Sequence, residues 1–488
     1  DAGLSSNAEN ISISDLNASV TDYSVKYDLS ALNALDSLNG IQVISRLHTL
    51  GLSRSDLMNP ETSMTSLNTN IQSALSGLPT QTVQYTGTDV DDLNQFLQNN
   101  TGKIVQLTQD IQVYKNTNGS FGIIMVPSDT ILDGNGHSLV MKAGYTEAPD
   151  VGVVLYVYKN GVIPSTNCGV KNLSTDIPYV NSINVFSADN ILLENNTLNN
   201  ATKSGIMISD EYGSTVNGII RGNTINNVGD DAIAVYGNHS NLLIDSNRIS
   251  GAKGFAGIAI SCLQNGQQIR VDNETTGPHD IIVTGNVVSG CSGEALYCIG
   301  SYKTYITYNT LRDSILEGVC LDSGCIGNYF AHNEVVNNGI AGGLPGVSID
   351  NGIYNIVDSN NVYNNSCSGI KLVRTGLGNI IVNNICTDNA YNQMGAKSSG
   401  IDIEPLAVET ENLGYIDGLG SNWNVVLNNT VTGSHDFGVF IADDDTANNG
   451  GSSCENVIMY NKFSSAYTFG AADFSSMSST VKNNITLN

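Results

Sequence analysis

Ser204-Gly205-Ile206-Met207-Ile208-Ser209 decides how this chain is read, because its pattern keeps returning. Copies are Ala256-Gly257-Ile258-Ala259-Ile260-Ser261, Glu317-Gly318-Val319-Cys320-Leu321-Asp322 and Pro345-Gly346-Val347-Ser348-Ile349-Asp350. Ser368-Gly369-Ile370-Lys371-Leu372, Ser399-Gly400-Ile401-Asp402-Ile403-Glu404 and Phe437-Gly438-Val439-Phe440-Ile441 complete the series. Each runs small residue, apolar, any, apolar, any, which is the period of a strand with one buried face. Between copies lies a second unit: an Asn, two or three apolar residues, then another Asn. Examples are Asn328-Tyr329-Phe330-Ala331-His332-Asn333 and Asn355-Ile356-Val357-Asp358-Ser359-Asn360. Strands this short cannot bury their own apolar faces, so the copies must stack on one another, as turns of a solenoid do.

The Gly or Ala before the first apolar residue marks positions 205, 232, 257, 295, 318, 346, 369, 400 and 438, at intervals of 27, 25, 38, 23, 28, 23, 31 and 38. A turn of roughly 22 residues holds three short strands and three bends, and longer intervals put their excess into loops. The 3.6-residue pattern of helical repeats is missing. β-Branched residues with Asn, Gly, Ser and Asp bends suit strands and tight turns. The expected fold is all-β: a right-handed parallel β-helix with a short α-helical N-terminal segment. Its Asn positions should stack as a ladder inside the coil or at a bend, where left-handed backbone suits Asn.

The first hundred residues read differently. From Asp28 to Gly51, the residues Leu32, Leu35, Leu38, Ile41, Ile44 and Leu47 have helical spacing. Further helices are expected near 63–75 and 90–98, before strand patterns begin at Lys103. The chain therefore divides into 1–101, a helical capping or bracing segment, and 102–488, the solenoid that carries the site. The polar stretch from Ser464 to the end is expected to cover the last turn.

Composition suits a long solenoid core, with 40% hydrophobic and 14% charged residues. A net charge of −26 argues against nucleic acid as a partner and weighs against strongly anionic polysaccharides. No apolar run is long enough for membrane insertion. The acidic, Asn/Ser/Thr-rich composition points to a secreted or cell-surface bacterial protein whose signal segment has been removed. Nine Cys without a CxxC pair read as small buried hydrophobes in and near strands. The sequence leaves the oligomeric state open.

Stacking the cassettes places chemistry. The second residue after each marker faces outward, giving a column with Tyr297, Cys320, Ser348, Lys371, Asp402 and Phe440. The fourth gives a neighbouring column with Asp322, Asp350, Val373 and Glu404, with Arg374 just beyond. Early turns carry no charge on this face; later ones concentrate it. Asp322 and Asp350 should sit on consecutive turns, about 5 Å apart. Two carboxylates so close do not both ionise cheaply, so one keeps its proton and an acid and a base arise from one residue type. That separation suits a retaining glycosidase, while Asp350 and Glu404, two turns apart, suit inversion. The expected catalytic groups are Asp322, Asp350, Asp402 and Glu404. Lys371, Arg374, Tyr297, Trp423 and Asp443 are expected substrate contacts. No metal or cofactor is expected in the chemistry; Asp443-Asp444-Asp445 is compatible with a structural calcium.

The repeat from about Gly102 to Asn461 resembles carbohydrate-active right-handed β-helix enzymes. The acidic chain with its helical N-terminal segment looks most like the lacto-N-biosidase type, which implies two Asp residues and release of a disaccharide from oligosaccharides. Inulin fructotransferases and inulobiose hydrolases share the solenoid and paired acids. Gly229-Asp230-Asp231 resembles the Asp-Asp segment of polygalacturonases, without their companion motifs. Gly277-Pro278-His279-Asp280 resembles the Asp-Pro-His-Glu/Asp site of alginate epimerases, with Gly277 in place of the catalytic Asp. A polysaccharide lyase or epimerase and a non-catalytic surface solenoid remain alternatives to a neutral-oligosaccharide hydrolase.

Overall fold

A computed structural model describes residues 59–115, 122–158, 161–264, 267–268, 277–322, 324–374, 376–390, 399–405, 420–442, 453, 455–464, 469–475 and 479–487. Contacts divide the chain into two units. The N-terminal unit comprises Met64–Ile269 and Gly277–Ala295; the C-terminal unit comprises Asp1–Ser63, Arg270–Thr276 and Leu296–Asn488.

In the N-terminal unit the chain visits three parallel sheets in fixed rotation. One turn runs Asp189–Glu194, Thr197–Asn199, Ile206–Ser209, and the next Val216–Arg221, Thr224–Asn226, Ile233–Tyr236. Each strand pairs in parallel with its counterpart one turn on, Ile191 with Gly218, Leu198 with Ile225 and Ile206 with Ile233. The C-terminal unit repeats this rotation: Tyr329–Ala331, Glu334–Val336, Val347–Asp350, then Ile356–Asp358, Asn361–Tyr363, Ile370–Val373. Tyr329 pairs with Ile356, Glu334 with Asn361 and Val347 with Ile370. The fold is the expected right-handed parallel β-helix.

The cassette pattern explains the packing. Val319, Leu321, Val347, Ile349, Ile370, Leu372, Ile401 and Ile403 are fully buried, each contributing roughly 1.5–3 kcal/mol of apolar burial. The Gly marker is needed because the backbone there passes close to the core. A Cβ at Gly318 would lie 2.5 Å from Val335 Cγ1, and one at Gly400 would lie 2.1 Å from Val431 Cγ1.

The Asn ladder is present inside the bends. In the N-terminal unit Asn196, Asn223, Asn247 and Asn286 stack with Nδ2–H donated to the next Oδ1 at 2.9 Å. In the C-terminal unit one ladder runs through Asn309, Asn333, Asn360, Asn384, Asn429, Asn461 and Asn484 at 3.0 Å per step. Each Oδ1 also accepts a backbone N–H, as Asn384 does from Asn360. The Nδ2 of Asn360 also donates to the Phe330 carbonyl. Buried amides are thus satisfied at both ends, which removes the penalty for burying them. The residue before each ladder Asn is left-handed, for example His332, Ser359, Asn383 and Asn428 at φ between 53° and 58°.

Two helices, Pro60–Ala74 and Val90–Asn99, lie close to their expected places; the expected helix at 28–51 lies outside the described residues. Asp89 caps the second by accepting from the Asp91 N–H. Its Asn94 donates to the Ile123 carbonyl and accepts from the Met125 N–H, both at 2.8 Å. The helix thereby satisfies an outer strand edge that would otherwise invite pairing.

Two expected boundaries change. Thr82–Tyr85 pairs in register with Ile104–Leu107, so sheet structure begins inside the segment 1–101 that was expected to be a helical cap. The strand is four residues long, too short to announce itself by alternation. The C-terminal tail is not a polar cover: Phe469–Asp473, Thr480–Lys482 and Ile485–Leu487 add another turn, pairing with Phe437–Ile441, Val457–Met459 and Lys462–Ser464. Of the eight described cysteines, all but Cys367 are buried. Among the described residues no helix is long and apolar enough to cross a membrane.

Candidate active site

Strand register within the C-terminal unit assembles the outward columns as the spacing predicts. Tyr297 pairs with Cys320, Cys320 with Ser348, Ser348 with Lys371, Lys371 with Asp402 and Asp402 with Phe440. In the neighbouring column Ile299 pairs with Asp322, and Asp350 with Val373. Pairing of Val319–Leu321 with Val347–Ile349 leaves Asp322 and Asp350 as the next residues on adjacent strands.

The two Asp residues have different surroundings. Asp322 Oδ2 accepts the Tyr297 hydroxyl at 2.6 Å, a charge-assisted bond that fixes its carboxylate. Asp350 Oδ2 lies 3.0 Å from Arg374 Nη1, while its Oδ1 is buried with no hydrogen-bond partner among the described residues. Burial pushes the Asp350 carboxyl up to about 7, and the negative charges of Asp322 and Glu317 push the same way, against Arg374. A neutral carboxyl is the cheaper occupant of such a position. Arg374 is left-handed, at φ 64°, and its carbonyl accepts the Ser421 hydroxyl at 3.0 Å.

One turn further lies a second knot of charge. Lys371 Nζ contacts Glu404 Oε2 at 2.8 Å and Asp402 Oδ2 at 3.9 Å. Burial works against the Lys371 charge, but Asp402 and Glu404 outweigh it and hold the ammonium protonated well above its usual range. Asp402 is pushed far up by burial, then by Glu404, with Lys371 opposing. Ser368 Oγ is 3.4 Å from its Oδ2, and its Oδ1 is buried without a hydrogen-bond partner among the described residues. The Asp402 column position was read as outward, yet the residue is 3% exposed.

Glu317 and Ser368 are groups that the cassette reading missed. Both precede a marker Gly, at a position that neither outward column includes. Burial raises the Glu317 carboxyl and Asp322 adds to that, while its own backbone N–H and Lys371 oppose. The available signal was an acidic residue where Ser204, Ser368 and Ser399 stand in other turns.

Other expected contacts fall elsewhere. Trp423 is 4% exposed and donates its indole N–H to Glu455. Its burial corrects the expectation of a sugar platform, because no ring face is open for stacking. Asp443, with the Asp443–Asp445 calcium candidate, lies outside the described residues. Among the described residues no group of three or more His, Cys, Asp or Glu could hold a metal ion. His279 Nδ1 lies 2.7 Å from Asp280 Oδ2. In Gly229-Asp230-Asp231, Asp231 is fully buried. Its Oδ1 accepts the Ala256 N–H at 2.7 Å and its Oδ2 the Tyr236 hydroxyl. Burial lifts this carboxyl to about 7 as well, with the Tyr236 bond opposing.

Residues 161–276 match the family described as right-handed beta helix region, a segment upstream of the carboxylate cluster. No curated protein matches the chain. Among solved structures, the mannuronan C-5 epimerase AlgE4 A-module of Azotobacter vinelandii aligns over 86% of this chain and 97% of its own, at 12% identity and a TM-score of 0.49. A tailspike protein of E. coli bacteriophage HK620 aligns over 79% and 74%, at 13% identity and a TM-score of 0.48. PfbA, a surface adhesin of Streptococcus pneumoniae, aligns over 78% and 85%, at 12% identity and a TM-score of 0.46. Likenesses at this level carry no argument about chemistry, which must come from the side chains.

Proposed function

We propose that the protein is a glycoside hydrolase acting on neutral oligosaccharides, with Asp350 as general acid and Asp322 as its carboxylate partner. The observation that carries this reading is the unequal environment of two adjacent carboxyls. Asp350, lifted to about 7, keeps a proton to give to the leaving-group oxygen near neutral pH. Asp322, anchored by Tyr297, is placed to attack the anomeric carbon or to stabilise its positive charge. Adjacent strands lie about 4.8 Å apart, which favours the short carboxyl separation of the retaining pathway over the longer one of inversion. The resemblance to lacto-N-biosidases adds release of a disaccharide as the form of the reaction.

Charge supports a neutral substrate. Asp322, Asp350, Glu317, Asp402 and Glu404 face Lys371 and Arg374, and both cations already hold carboxylates. Neither Lys371 nor Arg374 is free to neutralise a uronate, whereas the Asp322 carboxylate would stabilise an oxocarbenium-like transition state. Lys371, locked in its protonated form, is a poor base for a lyase.

The deciding experiment incubates the protein with neutral milk-type, inulin-type and malto-oligosaccharides and, separately, with uronans. Sugar release from a neutral substrate, without an ultraviolet-absorbing unsaturated product and unchanged by a chelator, is expected. Chelator-sensitive formation of an unsaturated product would move the protein to the lyases.

A further inference from the structure

The outward column of Lys371 and Asp402 and the pre-glycine position of Ser368 and Ser399 both end in an aromatic ring, in the same turn. Asp402 pairs across the strands with Phe440, and Ser399 with Phe437. The two rings lie 5.1 Å apart. Phe474, just beyond the next strand, packs on both, at 5.4 Å from Phe440 and 6.2 Å edge-on from Phe437. Phe437 and Phe440 are buried, with Ala472, in one small cluster outside the coil. Phe474 is 39% exposed.

We propose that this aromatic step is a sugar-stacking subsite of the same binding face, with Phe474 as its platform, so that the preferred substrate is an oligosaccharide lying along the solenoid axis. The inference rests on the glycosidase reading of the Asp322–Asp350 pair. The strand of Asp350 and the strand that leads into Phe474 are four steps apart, about 19 Å at the usual spacing. With a sugar ring spanning roughly one such step, the platform meets the fourth or fifth ring counted from the acid. A disaccharide held at the acids stops short of it. The chemistry fits a neutral sugar: hydroxyls meet the half-buried Lys371 and Glu404, and further along an apolar ring face meets Phe474. Amphipathic ligands of this kind are recognised by apolar walls with a few placed polar groups. A charged polymer would gain nothing from the phenyl wall.

The test measures kcat and KM for neutral oligosaccharide series of two to six sugars (milk-type, inulin-type and malto), using the full chain. In the unchanged protein KM should fall as length grows to about five sugars. Phe474→Ala should raise KM about tenfold for the longer members, with kcat and the shortest substrate little changed. Phe474→Tyr should retain the length dependence and Phe474→Leu should lose it, which separates stacking from simple apolar bulk. Melting curves check that each variant is folded. If the unchanged protein cleaves a series but Phe474→Ala leaves its length dependence intact, the subsite is refuted while the glycosidase reading stands. If it neither cleaves nor binds any member of the three series, the glycosidase reading fails and the subsite with it.

Discussion

Asp231 in the N-terminal unit and Asp350 in the C-terminal unit are nearly twins by titration and opposites by bonding. Both carboxyls are lifted to about 7, and burial is the first cause of each. Asp231 has both oxygens engaged, one by a backbone N–H and one by a phenol. Asp350 has one oxygen on a part-exposed arginine and the other on no hydrogen-bond partner among the described residues. A perturbed acidity thus marks a buried carboxyl, whereas an unfilled bonding position beside a second carboxylate marks one that can do work. Perturbation by itself is a weak guide to function.

The largest expected effect breaks that pairing apart. Asp350→Asn should lower kcat on a neutral oligosaccharide by at least about a thousandfold, and Asp322→Asn should do the same. Asp231→Asn should stay within about twofold. Equal losses in Asp350→Asn and Asp231→Asn would erase the distinction.

Stability should show the reverse ranking. Asp231→Ala strands the Ala256 N–H in the interior and should cost about 2–3 kcal/mol in urea unfolding. Asp350→Asn removes a carboxyl that is costly to ionise, so at pH 8 it should melt no lower than the unchanged protein. Marked destabilisation by Asp350→Asn would make Asp350 another structural carboxyl.

The smallest effect sharpens the comparison through pH. Both groups have folded values raised from the ordinary 3.8 to about 7. The stability they contribute is therefore fully present below about pH 4 and is lost as pH rises toward 7. Each adds a slope of at most about 1.4 kcal/mol per pH unit, so Asp231→Asn should flatten the curve by roughly one proton. Activity should fall as pH passes 7 and Asp350 deprotonates. That limb should survive in Asp231→Asn, since Asp231 takes no part in the reaction.

The sequence carried the register almost entirely. The marker Gly and the period-two alternation placed Lys371 opposite Asp402 and set Asp322 beside Asp350 before any coordinates, because a stack of identical turns admits few other pairings. What it did not carry is how long side chains fold back over the face. Tyr297 lies down to reach Asp322, and Asp402 disappears from solvent although its strand position faces outward. Glu317 and Ser368 were hidden for another reason. They stand where strand alternation gives way to the bend, and side-chain direction there no longer follows the count. Trp423 is left-handed, so its direction was equally illegible from strand spacing.

The Asn ladder has a consequence for how such a chain can change length. Successive rungs are 27, 24 and 39 residues apart in the N-terminal unit. In the C-terminal unit they are 24, 27, 24, 45, 32 and 23 apart. The amide contact nonetheless stays at 2.9–3.0 Å throughout. The column registers where each turn comes home, not how far the chain has travelled. Insertions at the other bends are therefore invisible to it, and loops bordering the carboxylate face can be lengthened, shortened or exchanged as modules without renegotiating the coil beneath them.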